Sequence, residues 1–484
     1  MPDTLLQPKT PVLDFSRAGD LAIANEKAEP HAVRILNSLG FALSPAASAG
    51  SEAHQLAWAQ SGAMSLTGNT KGPPRLIAAP LALAAQGAFT ALRALTPAAN
   101  PAVRPSLDSY FPSKFNPATL LAERAAIAGY SRSGAQSAGG SCRLLTTADG
   151  CIALNLTRGD DWEQLPALLS NNTPQETIAR DDWDALARNL YEQKTAELIE
   201  LAQLLGLALA DANAPPANRD WCRLLQAGVP TTPSLQLPLV VDLSALWAGP
   251  LCANLLGFAG ARVIKVESLH RPDGARDGPR AFFDLMNGNK ESLALDLRSD
   301  AGTAQLLTLL QQADIVIESS RPRALRQMGI SAEALVADKP GKVWLSITGY
   351  GRDAANELRI AYGDDAGVAA GLSRSLLDHY GEYGFCGDAI ADPLTGLHAA
   401  VAASAAWWSG SGGLLDLSLE AVVSFCSQPQ QPINLRVEQC DTGWQLTTAG
   451  EATAVALPLA RVPAASAKPL GADTQALMRE FSLL

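Results

Sequence analysis

The chain has 484 residues, 47% of them hydrophobic, and a formal net charge of −11. That is enough apolar sequence for a large core divided over two or three domains, and the acidity excludes nucleic acid as a main partner, because phosphate binding needs a basic surface. No apolar run approaches the roughly 18 residues of a membrane span. The seven cysteines stand singly with no CxxC pair, which suits reduced thiols in a cytoplasm and offers no metal framework. Five histidines are present, none at ligand spacing with another, so no bound metal is expected. The opening "MPDTLLQPKTPVLDFSRAGD" lacks the charged-then-apolar layout of a signal peptide, and a cytoplasmic location is the expectation.

Up to about residue 235 the chain is rich in Ala and Leu and reads as mostly helical. "PLALAAQGAFTALRAL" (80–95) has proline at its start and a broad apolar face, as a buried helix should. In "CRLLTTADGCIALNL" two apolar runs flank Asp149-Gly150, the pattern of a β-hairpin with a tight turn. "DDWDALARNLYEQKTAELIELAQLLGLAL" then reads as an amphipathic helix pair. "NAPPAN" (213–218) and "GVPTTPSLQLP" (228–238) are proline-rich loops or linkers.

From 239 the texture alternates. "PLVVDLS", "RVIKVES", "DIVIES" and "KVWLSITGYG" are strands, and helices lie between them at "GPLCANLLGFAGA", "SDAGTAQLLTLLQQA" and "SAEALVADKP". Apolar strands separated by helices imply parallel βαβ units, giving an α/β fold with a doubly wound parallel sheet beside a smaller α+β domain. No GxGxxG follows the first strand, so a dinucleotide site of the usual kind is not indicated. Ligands of such sheets lie beyond the carboxyl ends of the strands, where "ALWAGP", "ESSRPR" and "ITGYG" fall.

After the last of these comes "AYGDDAGVAAGL" (361–372), with two aspartates among small and apolar residues. One reading is a helix start with Asp364 or Asp365 as N-cap. The other is a nucleophile at the mouth of a pocket, and adjacent carboxylates perturb one another's ionisation in a way a cap does not require.

These segments resemble the family III CoA-transferases, also called the CaiB/BaiF family. "VVDLSALWAGPLCANLLGFAGARVIKVES" is similar to that family's first βαβ unit, with its Ala-Gly-Pro turn and Lys-Val-Glu strand end, and "NGNKESLALDLRSDAG", "IVIESSRPRALRQMGI" and "VWLSITGYG" follow in the family's order. The first half is similar too, but out of order. "AWAQSGAMSLTG" (57–68) resembles the segment that normally follows the family's catalytic aspartate, while "TTADGCIALNL" and "LLQAGVPTTP" resemble parts of its smaller domain. "PLGADTQALMREF" resembles its carboxyl-terminal tail. The expected organisation is a truncated family copy with a small α+β domain over 1–235, the large domain over 236–430 and a tail segment over 431–484, with segments rearranged and partly duplicated.

The resemblance implies transfer of CoA between an acyl-CoA and a small carboxylic acid, with acyl-CoA as substrate, no permanently bound cofactor and an interlocked homodimer. In that reaction an aspartate attacks the thioester, and an aspartyl anhydride and an aspartyl-CoA thioester follow. Ungapped alignment on Tyr362 puts Gly363 at the catalytic position, and a one-residue shift selects Asp364, with Asp365 next. The equivalent first-half position falls near His54. For CoA the resemblance points to Leu246, Trp247 and Ala248, to Leu295 and Arg298, and to the basic cluster Arg321, Arg323 and Arg326. Trp247 reads equally as a core aromatic. Ser319 and Ser320 replace the Asn-Phe common in the family, Gly384 and Gly387 suggest a mobile loop over the site, and Asp388 and Asp392 read as cap and turn residues. Two alternatives stand beside the transferase: an acyl-CoA racemase or isomerase of the same fold, and a non-catalytic CoA-binding subunit.

Overall fold

A computed structural model describes residues 30–41, 43, 50–96, 107–169, 178–216, 219–232, 237–430, 432–447 and 451–483. The opening twenty residues, the end of the 213–218 linker and the boundary expected at 235/236 lie outside the described residues.

The hairpin forms where Asp149-Gly150 predicted it: β1 (Cys142–Thr146) pairs antiparallel with β2 (Cys151–Asn155). A third strand, β3 (Ala208–Asp211), joins β2, and the amphipathic helices Trp183–Leu190 and Thr195–Leu205 pack their leucines against this small sheet. β3 went unread because "ALAD" has no alternation and directly follows a helix ending in Gly206, a left-handed C-cap.

The second half, with one edge strand from the first, builds a seven-stranded sheet. β4 (Cys222–Ala227), β5 (Leu239–Asp242), β6 (Arg262–Ser268), β7 (Glu291–Leu295), β8 (Ile315–Glu318), β9 (Val343–Thr348) and β10 (Gly413–Ser418) lie in the order β4-β10-β9-β8-β5-β6-β7. β5 to β10 are all parallel, and β4 is antiparallel to β10 at one edge. The chain leaves β5 toward β6 and later returns to β8 on the other side. The carboxyl ends of β5 and β8 therefore flank the topological switch point, where doubly wound sheets open a crevice. β11 (Arg436–Cys440), β12 (Gly443–Thr447) and β13 (Ala452–Ala454) form a separate small antiparallel sheet.

Both faces of the large sheet are covered. α1 (Pro30–Ser38) and α2 (Leu81–Leu95) from the first half pack with α6 (Ala391–Trp408), which lies against α4 (Ala248–Phe258), placed after β5. α6 is buried nearly all round, which its alanines permit by letting neighbouring backbones approach. Between α2 and α4 in chain order is the short α3 (Glu123–Ala128), and between α4 and α6 is α5 (Gly363–Ala369), which starts at the two aspartates.

Candidate active site

The turn after β5 is fixed from below by a buried charge network. Lys265 and Glu267, two apart in β6, point to one face. Lys265 Nζ pairs with Asp273 at 2.9 Å and donates to Ser244 O at 2.9 Å, while Glu267 accepts from Asp273 N–H and from Arg276. Lys290 Nζ reaches Asp242 at 2.8 Å. Burial alone would neutralise Asp242 and Asp273, but the lysines outweigh it and hold both carboxyls below the usual range.

That network answers the expectation for 246–248. Leu246 N–H donates to Asp273 Oδ1 (2.9 Å), Ala245 N–H donates to Ser319 Oγ (3.1 Å), and Ala248 N–H is bonded to the Asp392 carboxylate. The Leu246 and Ala248 amides, expected to approach a pyrophosphate, are bonded within the protein. Leu246 has a left-handed backbone, φ 69°, and a side chain turned to solvent. Trp247 is a core aromatic, edge-on to Phe282 and 5.3 Å below the Arg124 guanidinium, so it does not cover an adenine. Leu295 is likewise corrected: it packs in the core on β7, spent on the sheet rather than turned to a nucleotide. Arg298 is exposed, and Arg326 is held by Glu357 at 2.7 Å instead of standing ready for phosphate.

Arg321 is placed differently. Its guanidinium lies over Gly206, where a β-carbon would come within 2.9 Å of Nη2, and Arg158 Nη2 donates to the carbonyl of the same glycine at 2.7 Å. Burial, then Arg158 and Arg323, push the Arg321 pKa down. No carboxylate pairs with Arg321 among the described residues, whereas Arg158 is clamped by Asp161. Arg323 is exposed on the short helix Pro322–Gln327. The first-half Arg158 and the second-half Arg321 thus make one basic cluster, beside Tyr362.

The two aspartates have separate tasks. Tyr362 is the N-cap of α5, and Asp365, three residues on, accepts the Tyr362 N–H (3.0 Å) and Asn155 Nδ2 (2.8 Å). This is the reciprocal half of a capping box. Its second oxygen is buried without a hydrogen bond, and burial pushes its carboxyl up to about 7. Asp365 is fully buried, so the second catalytic candidate is a cap and a tie between the halves.

Asp364 is buried and borders a gap too tight to hold a water molecule, lined by Val368, Leu372, Phe385, Cys386 and Ile390. Its Oδ1 accepts Ala389 N–H at 2.9 Å, and the Ser137 hydroxyl bonds it as well. Burial and the neighbouring Asp388 raise its pKa to about 6, opposed by Arg124. Asp388 and Asp392, read from sequence as cap and turn residues, belong to this group. Asp388 is paired with Arg124 (Nε to Oδ2, 2.9 Å), and burial raises Asp392 to about 7. Three carboxyls surround one guanidinium, and its pKa is raised because they outweigh its own burial.

Gly363 explains the irregular alignment. A β-carbon there would lie 2.3 Å from both Ala389 O and Asp392 Oδ2, so no side chain fits at that position. Gly384 and Gly387 do not form a free flap: Gly384 O accepts from Ser373 and Gly387 N–H donates to Thr67. His54 is fully buried with Nε2 against Ile77 O, and His398 is deep in the core. Neither offers the acid–base histidine that a racemase needs at Asp364.

Sequence reasoning missed Arg124, Ser137, Asn155 and Arg158. All are first-half residues brought beside α5 by tertiary contact. The one local hint was Arg124, a charge inside the apolar run "LLAERAAIA".

Fold and strand order define a doubly wound α/β protein. Residues 235–445 match the model of CoA-transferase family III, and that segment belongs to the family its motifs suggested. Similar curated proteins include a succinyl-CoA–D-citramalate CoA-transferase of Chloroflexus aurantiacus, 30% identical over 37% of this chain and 48% of its own length. An (R)-2-hydroxy-4-methylpentanoate CoA-transferase of Clostridioides difficile is 34% identical over 29% and 38%, and a formyl-CoA:oxalate CoA-transferase of Afipia carboxidovorans 30% over 39% and 47%. The chain thus spans about half or less of the length of these relatives. A solved CaiB/BaiF family protein from Brucella suis shares 25% identity over 44% of this chain and 66% of its own, with a TM-score of 0.36.

Proposed function

We propose that this chain transfers CoA from an acyl-CoA to a small carboxylic acid, with Asp364 as the nucleophile. The observation that carries the reading is the placing of Asp364 at the first turn of α5, within the segment that matches the family model, its carboxylate held by the Ala389 amide and the Ser137 hydroxyl and raised in pKa by burial and Asp388. Weak solvation of its charged form favours attack.

In the proposed cycle an Asp364 oxygen adds to the thioester carbonyl, the C–S bond breaks, and CoA thiolate leaves a mixed anhydride. The thiolate attacks the Asp364 carbonyl, expelling the donor acid and leaving an aspartyl-CoA thioester. The acceptor carboxylate attacks that thioester, releasing CoA thiolate. The thiolate takes the new acyl group from the anhydride, restoring the Asp364 carboxylate. Ala389 N–H is a fixed donor at Oδ1, where charge changes in each step. Asp365 positions α5 and takes no part in the chemistry. Arg158 and Arg321 supply the positive field for CoA phosphates. A homodimer in a reducing cytoplasm completes the proposal, supported by the family resemblance and by free thiols at all seven cysteines.

One observation favours a second reading, a non-catalytic CoA-binding subunit: the family's catalytic position is a glycine with no room for a side chain. Asp364→Asn separates the two. Wild type incubated with a panel of acyl-CoA donors and hydroxylamine is expected to carry a hydroxamate at Asp364. The variant is expected to fold, bind CoA and transfer nothing. Full activity in the variant removes Asp364 from the chemistry, and an inert wild type across the panel supports the subunit reading.

A further inference from the structure

Away from the groups around Asp364, three helices bring together His31 of α1, His398 of α6 and Cys426, the last residue of α7 (Leu419–Cys426). All three are buried, and His31 Nε2, His398 Nε2 and Cys426 Sγ lie within 4.8 Å of one another. His31 Nε2 is 3.1 Å from His398 Nε2, and Cys426 Sγ is 3.4 Å from the same nitrogen. From this geometry we propose that the chain carries a site for one thiophilic d10 cation, zinc(II) or copper(I), ligated by His31, His398 and Cys426.

Hydrogen bonding alone leaves the cluster over-subscribed. His398 Nδ1 lies 2.7 Å from Leu394 O, an acceptor, so Nδ1 carries the proton and Nε2 is left with one in-plane lone pair. Both His31 Nε2 and Cys426 Sγ are within bonding distance of that lone pair, and it satisfies only one donor well. A cation instead receives one lone pair from each ligand. The Leu394 bond is also the outer-shell contact that orients a ligating imidazole and fixes its tautomer.

The spacing agrees. With metal–nitrogen bonds of about 2.0–2.1 Å and a metal–sulfur bond of about 2.3 Å, tetrahedral ligation sets nitrogens about 3.3 Å apart and nitrogen and sulfur about 3.6 Å apart. The observed separations of 3.1 and 3.4 Å need an opening of about 0.2 Å on the two edges that meet at His398, and the third edge is within 4.8 Å. Trp221 and Phe425 pack on the imidazoles with ring centroids 5.4 and 5.5 Å away, giving a dry aromatic shell. Two nitrogens and a sulfur select the zinc and copper(I) class over calcium or magnesium, which require oxygen. Arg34, whose guanidinium lies 4.0 Å above the Phe425 ring and donates to the Phe425 and Gln428 carbonyls, closes the shell beside Phe425.

Sequence spacing could not show this site, because His31 and His398 are 367 residues apart.

The test is metal analysis of full-length protein produced in zinc-supplemented and, separately, copper-supplemented medium, followed by X-ray absorption at the metal edge. About one equivalent of one of the two metals is expected, with two nitrogens and one sulfur as neighbours. Cys426→Ser and His31→Gln are expected to lower occupancy at least tenfold, while Cys440→Ser leaves it unchanged. Metal-free wild type in both media overturns the proposal, as does a metal shell without sulfur or full occupancy in Cys426→Ser. Should Cys426→Ser fail to fold, the absorption spectrum of the wild type decides alone.

Discussion

Asp365→Asn isolates the energy stored in the first turn of α5. Asparagine keeps the side-chain oxygen that accepts Tyr362 N–H and Asn155 Nδ2, so the cap survives and only the charge is removed. The Asp365 carboxyl has a pKa of about 7 when folded, against an ordinary 3.8. A raised folded pKa means that the native state binds more protons than the unfolded chain between these values. The group's contribution is therefore fully present below about pH 4 and is lost as pH rises through 7. Integrating proton binding over the two pKa values, wild type loses about 2–3 kcal/mol relative to the variant between pH 5 and pH 8. Unfolding midpoints of both proteins measured at pH 5, 6, 7 and 8 should thus diverge, the variant becoming the more stable. A difference that is constant across this range, or that shrinks with pH, refutes the claim that Asp365 is a strained buried carboxylate.

Gly363→Ala forces a β-carbon against Ala389 O and Asp392 and should destabilise the protein by about 3 kcal/mol in calorimetry; Gly363→Asp should be worse still. Arg321→Ala and Arg158→Ala should each raise the Michaelis constant for acyl-CoA about 10-fold or more with little change in kcat, consistent with about 1.5–3 kcal/mol for a charge-assisted contact. An unchanged constant in both removes the cluster from the site. Arg124→Gln takes away the cation that opposes the rise of the Asp364 pKa, so the acid limb of the rate profile should move upward relative to wild type. The same change leaves Asp388 buried without its partner and should cost about 3 kcal/mol at pH 7.

Four strands of the large sheet, β5, β6, β8 and β9, were legible because their signals are local, while β7 and β10 went unread. "VVDLS", "RVIKVES" and "IVIES" are apolar runs bounded by turn residues, and each is a buried strand. β3 and β4 were not, since "ALAD" and "CRLLQA" owe their extended form to the strands they join rather than to their own pattern. The aspartate pair was legible as a singular feature, but the division of labour between its members was not. It depends on Asn155, 210 residues upstream, and on Ala389, which the chain reaches only later. The turn at 246–248 misled for a related reason. Its amides look free in sequence, and only the fold reveals that Asp273 already holds that of Leu246 and Asp392 that of Ala248.

The edge pairing of β4 with β10 bears on how the chain is made. A ribosome delivers residues in order at about 5–20 per second, and α2 emerges some 300 residues ahead of α6, the helix that covers it. For on the order of 15–60 s of synthesis an almost wholly apolar helix waits without its cover. Residues 222–227 wait similarly for residues 413–418, with the hydrogen-bonding edge of a strand unpaired. Arg124 meets Asp388 only at the end of the same interval, across 264 residues. A nascent chain stalled before residue 391 therefore presents apolar surface that its own sequence cannot yet bury, the kind of surface on which holding chaperones act.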